Sequence, residues 1–153
     1  MSGALPTRKR GLTAGPAVAR PPAGADTVTM TNALLKIRDG IDSFAINGVL
    51  VATRDGLAMC GVTRGIENDG LAAMAAAAAG LAHQFTAQAD IGGPRAVFFE
   101  GDAGQVGVFE VDPGALLVVL GSRDTTMGMF NVVAKQALAL LQRAVIDQRT
   151  ACE

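Results

Sequence analysis

The side chains able to do covalent or acid–base chemistry are few. The chain of 153 residues has one histidine, His83, and two cysteines, Cys60 and Cys152, and neither tryptophan nor tyrosine. One imidazole and two distant thiols cannot assemble a zinc site. A Ser–His–Asp arrangement would have to use His83, but that residue lies in an alanine-rich run that reads as helix, where a surface or interface role is the expectation. The Asp and Glu residues are scattered, and no acid/base pair stands out among them. Gly101-Asp-Ala-Gly104 has the composition of a phosphate-cradling loop, yet it joins two strand-like runs and opens no helix, so it reads as a turn. A G-x-x-x-x-G-K-[ST] phosphate loop is absent from the sequence. These readings exclude a self-sufficient enzyme and call for no cofactor and no metal.

The elements around these residues are better defined. The run from Gly70 to Ala89 contains no charged residue and nine alanines between Ala72 and Ala87. Alanine is the strongest helix former, so the run reads as one long helix. Leu71, Met74, Ala78, Leu81 and Phe85 recur at helical spacing and are expected to lie on the protein's own core. The opposite side, with Ala72, Ala73, Ala76, Ala77, Gly80 and Gln84, is also nearly without polarity. A helix apolar all round is buried all round, so this side is expected to meet another subunit. His83, Gln84 and Gln88 interrupt the run well short of the roughly 20 apolar residues a bilayer span needs, so membrane insertion is not expected.

Before this helix, Met30 to Phe44 carries Leu34, Leu35, Ile37, Ile41 and Phe44 at helical spacing, with Thr31 or Asn32 as the cap. Ala45–Thr53 and Leu57–Val62 read as strands around an Asp55-Gly56 turn. Asn68 or Asp69 is the expected cap of the long helix. After it, Arg95–Glu100, Gln105–Val111 and Ala115–Leu120 read as three more strands, and Met127 to about Arg149 as a last helix. The order α-β-β-α-β-β-β-α, with short hairpins and strands apolar on both faces, predicts an α+β fold. One five-stranded antiparallel sheet would carry the long helix on one side and the terminal helices on the other.

Residues 1–29 hold four of the six prolines and a net charge of +3. Their composition predicts a disordered basic tail ahead of a single domain at 30–149, with 150–153 as a short C-terminal tail. The tail reads as an inert extension, or as an upstream start taken in error ahead of Met30, or alternatively as a tether for an acidic surface. The remainder is mildly acidic and poor in stacking aromatics, which argues against nucleic-acid binding. Without a disulfide framework or a signal-peptide-like apolar stretch, reduced thiols and a cytoplasmic setting are expected, with Cys60 a small buried hydrophobe.

Five stretches, in order, carry a resemblance. They are Gly48-Val-Leu-Val-Ala-Thr-Arg-Asp-Gly-Leu57, Leu71 to Phe85, Glu100-Gly-Asp-Ala-Gly104, Gly114-Ala-Leu-Leu-Val-Val-Leu120 and Asp124-Thr-Thr-Met-Gly128. From about Thr31 to Arg143 the chain resembles the roadblock family of dynein-associated light chains, and within it the bacterial members that regulate small Ras-like GTPases. The resemblance implies a homodimer or heterodimer, with the long helix and the third strand meeting their counterparts, and no catalytic residues of its own. The expected dimer contacts are then Ala72, Ala73, Ala76, Ala77, Gly80, Val97, Phe98 and Phe99. The expected contacts to a small P-loop GTPase are Arg64, His83 and Gln84. Arg64 reads as a solvated loop arginine rather than a finger reaching a partner's GTP. The implied function is a non-enzymatic regulator of a GTPase's nucleotide cycle. A dimeric scaffold without effect on turnover and a small-molecule sensor are the alternatives.

Overall fold

Val49-Leu-Val-Ala52 and Ala115 to Leu120 alternate between two hydrophobic layers. The side chains of Val49, Val51, Leu117 and Val119 point to one face, and those of Leu50, Ala52, Leu116 and Val118 to the other. Such two-sided strands must be covered on both faces. The computed structural model describes residues 27–40 and 45–151 and shows how this is done. The elements are α1 (Thr27–Gly40), β1 (Ile46–Thr53), β2 (Ala58–Val62), α2 (Asn68–Gln88), β3 (Ala96–Gly101), β4 (Gly104–Asp112), β5 (Ala115–Gly121) and α3 (Met127–Ala151). The five strands form one sheet of order β2-β1-β5-β4-β3, every neighbouring pair antiparallel. The expected αββαβββα architecture is therefore the observed one.

The hairpin β1–β2 and the meander β3–β4–β5 join through the central pair β1·β5, where Val49 stands opposite Val119 and Val51 opposite Leu117. One face of the sheet is covered by α1 and α3, through Leu34, Ile37, Phe130, Ala137 and Leu141. The other is covered by α2, through Ala72, Ala75 and Ala79. The edges are β2 and β3, and β3 has one hydrogen-bonded neighbour, β4.

Several boundaries differ from the sequence reading. α1 begins at Thr27, so Thr31 and Asn32 lie inside it and do not cap it. Residues 27–29, assigned to the tail, form its first turn; residues 1–26, Ile41 to Phe44 and Cys152 lie outside the described residues. α2 starts two residues earlier than the charge-free run. Its N-cap is Glu67, which makes no side-chain cap bond, while Asn68 is already helical and bonds Thr63 Oγ1 instead. Thr126 caps α3, the Met129 amide donating to its Oγ1. Residues 150 and 151, assigned to the C-terminal tail, continue α3.

Gly121 shows how tightly the start of α3 is seated. A Cβ there would stand 2.6 Å from Gln105 Oε1 and 2.7 Å from the Phe130 ring. Gln105 cannot swing away freely, because its Nε2 donates to the Thr125 carbonyl at 2.6 Å. Gly121→Ala is therefore expected to destabilise the fold by about 1–3 kcal/mol, the usual range for overpacking. Chemical denaturation of the two proteins side by side measures it, and equal midpoints would show that this corner yields.

Candidate functional site: the outer face of α2 and the β3 edge

The alanines of α2 face the opposite way from the expectation. Ala72, Ala75 and Ala79 lie on the sheet and are buried, Ala72 completely. Met74 is 70% exposed, Leu81 58% and Phe85 71%, with Leu71 and Ala78 half-buried beside them. The physical reason lies in the sheet. Leu50, Leu116, Val118 and Leu120 already fill the layer beneath α2. Only a methyl-sized side chain lets the helix axis come close enough to keep that layer dense. The Gly56 turn closes over the same helix: a Cβ at Gly56 would touch Ala73 and Ala76 at 3.3 and 3.6 Å. Ala72 is thus removed from the list of intersubunit candidates. Ala73, Ala77 and Gly80 are exposed and Ala76 is half-buried.

The exposed large residues flank a groove of about 470 Å³ between α2 and the sheet edge. Leu71, Met74, Ala78 and Leu81 line it from the helix, and Phe99 and Val106 from the strands. The groove exists because α2 approaches with alanine on one flank only. On β3 the side chains alternate. Val97 packs with the layer under α2, and Phe99 is exposed on the same side. Phe98 turns to the other face and meets Phe109 and Phe130 edge to face, with ring centroids 5.6 and 6.4 Å apart. Of the three β3 residues expected in an interface, Val97 is half-buried in its own chain, while Phe98 and Phe99 are exposed, on opposite faces of the strand.

His83 lies on the flank of α2 away from this groove, in a charged cluster that sequence reading missed. Its Nε2 is 2.5 Å from Glu110 Oε1 and 2.8 Å from an Arg54 guanidinium nitrogen. Arg54 also pairs with the Glu110 carboxylate. The proton on Nε2 decides the pattern: present, it is donated to Glu110; absent, the nitrogen accepts from Arg54. The cluster fastens the C-terminal half of α2 to the end of β1 and to β4. All three side chains are partly solvated, so each pair contributes about 0–1 kcal/mol. The available signal was Glu110, a charge flanked by Phe109 and Val111 in the apolar strand β4, and Arg54 ahead of the Asp55-Gly56 turn.

Arg64 is not part of this group. It stands in the loop before α2, beside Arg38, Asn47 and Gly48 around a cavity of about 240 Å³. Roughly 20 Å of helix axis separates the start of α2 from His83, at 1.5 Å per residue. Gln84 is exposed next to His83. Gly101 to Gly104 form the β3–β4 hairpin turn, with no helix following. Cys60 lies half-buried on β2; burial pushes its thiol above the ordinary value, and a hydrogen bond with Thr31 acts in the opposite direction. Among the described residues, no three His, Cys, Asp or Glu side chains gather as a metal set, and no helix is long and apolar enough to cross a membrane.

Comparison with known proteins places this architecture. The structure is similar to Myxococcus xanthus MglB at 16% identity and a TM-score of 0.69, covering 86% of this chain and 96% of that one. It is similar to the gliding protein MglB of Thermus thermophilus at 18% and 0.67, covering 81% and 93%. It also resembles a Roadblock/LC7 domain from Streptomyces avermitilis at 18% and 0.63, covering 76% and 97%. Among curated proteins none matches the sequence. At such identities the likeness establishes the fold alone. The family model for the Roadblock/LC7 domain matches the sequence itself over residues 43–121, from the approach to β1 through the end of β5, and so the chain belongs to the Roadblock/LC7 domain family.

Proposed function

We propose that this protein is a dimeric, non-enzymatic regulator that binds a small Ras-like GTPase and alters its nucleotide cycle. The observation that carries the reading is the apolar face of α2, with Met74, Leu81 and Phe85 exposed beside the open edge of β3. A surface of this kind marks a protein interface. A second copy fits it best. Antiparallel pairing of two β3 strands would continue the sheet, and the two α2 helices would then lie side by side. Met74, Leu81, Phe85 and Phe99 would be the principal contacts, with Ala73, Ala77 and Gly80 allowing close approach. Val97 would lie beneath them, and Ala76 at the margin. A tetrameric arrangement has been described for an MglB of similar fold, which supports self-association of such surfaces.

The GTPase would dock across the paired helices. His83 and Gln84 stand at one end of α2 and Arg64 at the other, so in an antiparallel pair one chain's His83 approaches its partner's Arg64 end. The family resemblance supplies the partner class, and the sequence has no phosphate loop of its own. To change turnover, the dimer must bind the GTP and GDP states unequally; a tenfold preference needs about 1.4 kcal/mol.

The test is GTP hydrolysis and nucleotide release by small Ras-like GTPases of the same cell, with and without this protein. At least one GTPase is expected to change its rate severalfold, while the protein alone turns over none. Binding with unchanged rates and equal affinity for both nucleotide states would leave a scaffold. Absence of binding to any of them would end the proposal.

A further inference from the structure

The charge of this chain is divided by position. Residues 1–40 and 127–153 together hold nine basic and four acidic residues, whereas 41–126 holds four basic and ten acidic. Among the described residues, α1 and α3 lie together on one side of the sheet and present Lys36, Arg38, Lys135 and Arg143 against Asp39 and Asp147. α2, on the other side, contains no Lys or Arg. The outer surface of α3 also exposes apolar side chains at a regular spacing, interrupted by Gln136 and Arg143. Met129, Val132, Gln136, Ala139, Arg143 and Ile146 are exposed at spacings of 3, 4, 3, 4 and 3. This line runs for about 25 Å along the helix. Lys135 flanks it, and Lys36 stands exposed on α1 beyond the shallow groove shared with Arg143.

We propose that this α1/α3 face docks the protein on an anionic lipid surface, with Met129, Val132 and Ile146 among the headgroups and Lys36, Lys135 and Arg143 at the phosphates. The 3-4 spacing would also suit a second helix. A second copy, however, would bring two basic faces together, and an antiparallel match sets Arg143 against Val132. A nucleic acid would answer the charge but not the apolar line, and among the described residues α1 and α3 expose no aromatic side chain to stack on bases. A bilayer surface answers both: a helix of this composition lies in the interface plane, its apolar side chains at the acyl boundary.

The sequence adds to this at the near end. Arg8, Lys9, Arg10 and Arg20 lie within the 26 residues that precede Thr27, the first residue of α1, in the sequence. Basic residues beside a membrane-facing element strengthen attachment to anionic leaflets. The proposal stands on a single chain. If two β3 strands pair as proposed above, the α1/α3 layers of both copies share one side of the extended sheet, and the two faces act together.

Flotation of the full-length protein with lipid vesicles tests this. Phosphatidylglycerol–phosphatidylcholine vesicles are expected to carry it, phosphatidylcholine vesicles are not, and added salt should release it. K135Q/R143Q should lower partitioning roughly thirty-fold, at about fivefold per basic residue. M129S/V132S should lower it while keeping the salt dependence. These side chains are exposed, so unchanged thermal melting is expected of both variants. L81R, aimed at the proposed dimer contact, should still float, with reduced avidity, which separates this inference from that one. No flotation with anionic vesicles at low salt overturns it. So does binding unmoved by both face variants and lost only when Arg8, Lys9, Arg10 and Arg20 become glutamine. Retention on duplex DNA or polyglutamate without flotation would assign the face to another partner and equally overturn the proposal.

Discussion

Leu81→Arg is expected to convert the protein from dimer to monomer at micromolar concentration, with its fold intact. Leu81 is more than half exposed in the single chain and lines the α2 groove, so its loss removes little from the chain's own core. In the proposed dimer each copy would bury it, contributing about 1.5–3 kcal/mol per side chain. The arginine would also strand a charge in an apolar contact, twice over by symmetry. Together these exceed about 4 kcal/mol, or roughly a thousandfold in the dimer's dissociation constant. Light scattering after size exclusion reads the mass, and circular dichroism reads the fold. Wild type and L81R of equal mass would remove the proposed interface. The GTPase effect should fall with the dimer, since the docking surface spans both copies.

Ala75→Leu should do the reverse: leave the outer face unaltered and weaken the fold. Ala75 is buried over the layer containing Leu50, Leu116 and Val118. Three further carbon atoms cannot enter without lifting α2 from the sheet or forcing strained rotamers, at about 1–3 kcal/mol or somewhat more. For a chain of this size that corresponds to a fall of roughly 3–10 °C in Tm. The substitution discriminates between the two orientations of α2. If the larger side chains faced the core, as the sequence pattern suggested, a leucine at position 75 would lie near the surface and barely move Tm. A melting temperature within a degree of wild type would therefore restore that orientation.

The charged cluster of Arg54, His83 and Glu110 bears on both results. It grips the C-terminal half of α2 from the side opposite the groove. A helix otherwise seated on alanine methyls thereby gains a fixed rotation about its axis. That rotation holds Leu81 and Phe85 outward, where a partner can reach them. The cluster is modest as a source of stability, and its effect on orientation follows from its position.

The sequence by itself determined the order of elements, the strands and the layer each strand residue enters. Alternation is local: once Val49 faces one way, Leu50 must face the other, and the pleat carries this through Ala52. Turn chemistry was equally legible. Asp55-Gly56 closes β1–β2 with Gly56 at φ 91°, a conformation few other residues adopt. The family could be read from five ordered stretches spanning most of the chain. Three things required the tertiary structure. Periodicity sorts the residues of α2 into two sides but cannot choose between them when both are apolar. The bulk already supplied by β1 and β5 makes that choice, and it turns the small side inward. Arg54, His83 and Glu110 come from three elements separated by 27 to 56 positions, and only the crossing of α2 over the sheet brings them into contact. The placing of Lys36, Lys135 and Arg143 on one face is likewise a property of the fold, since α1 and α3 meet only by packing on the same side of the sheet.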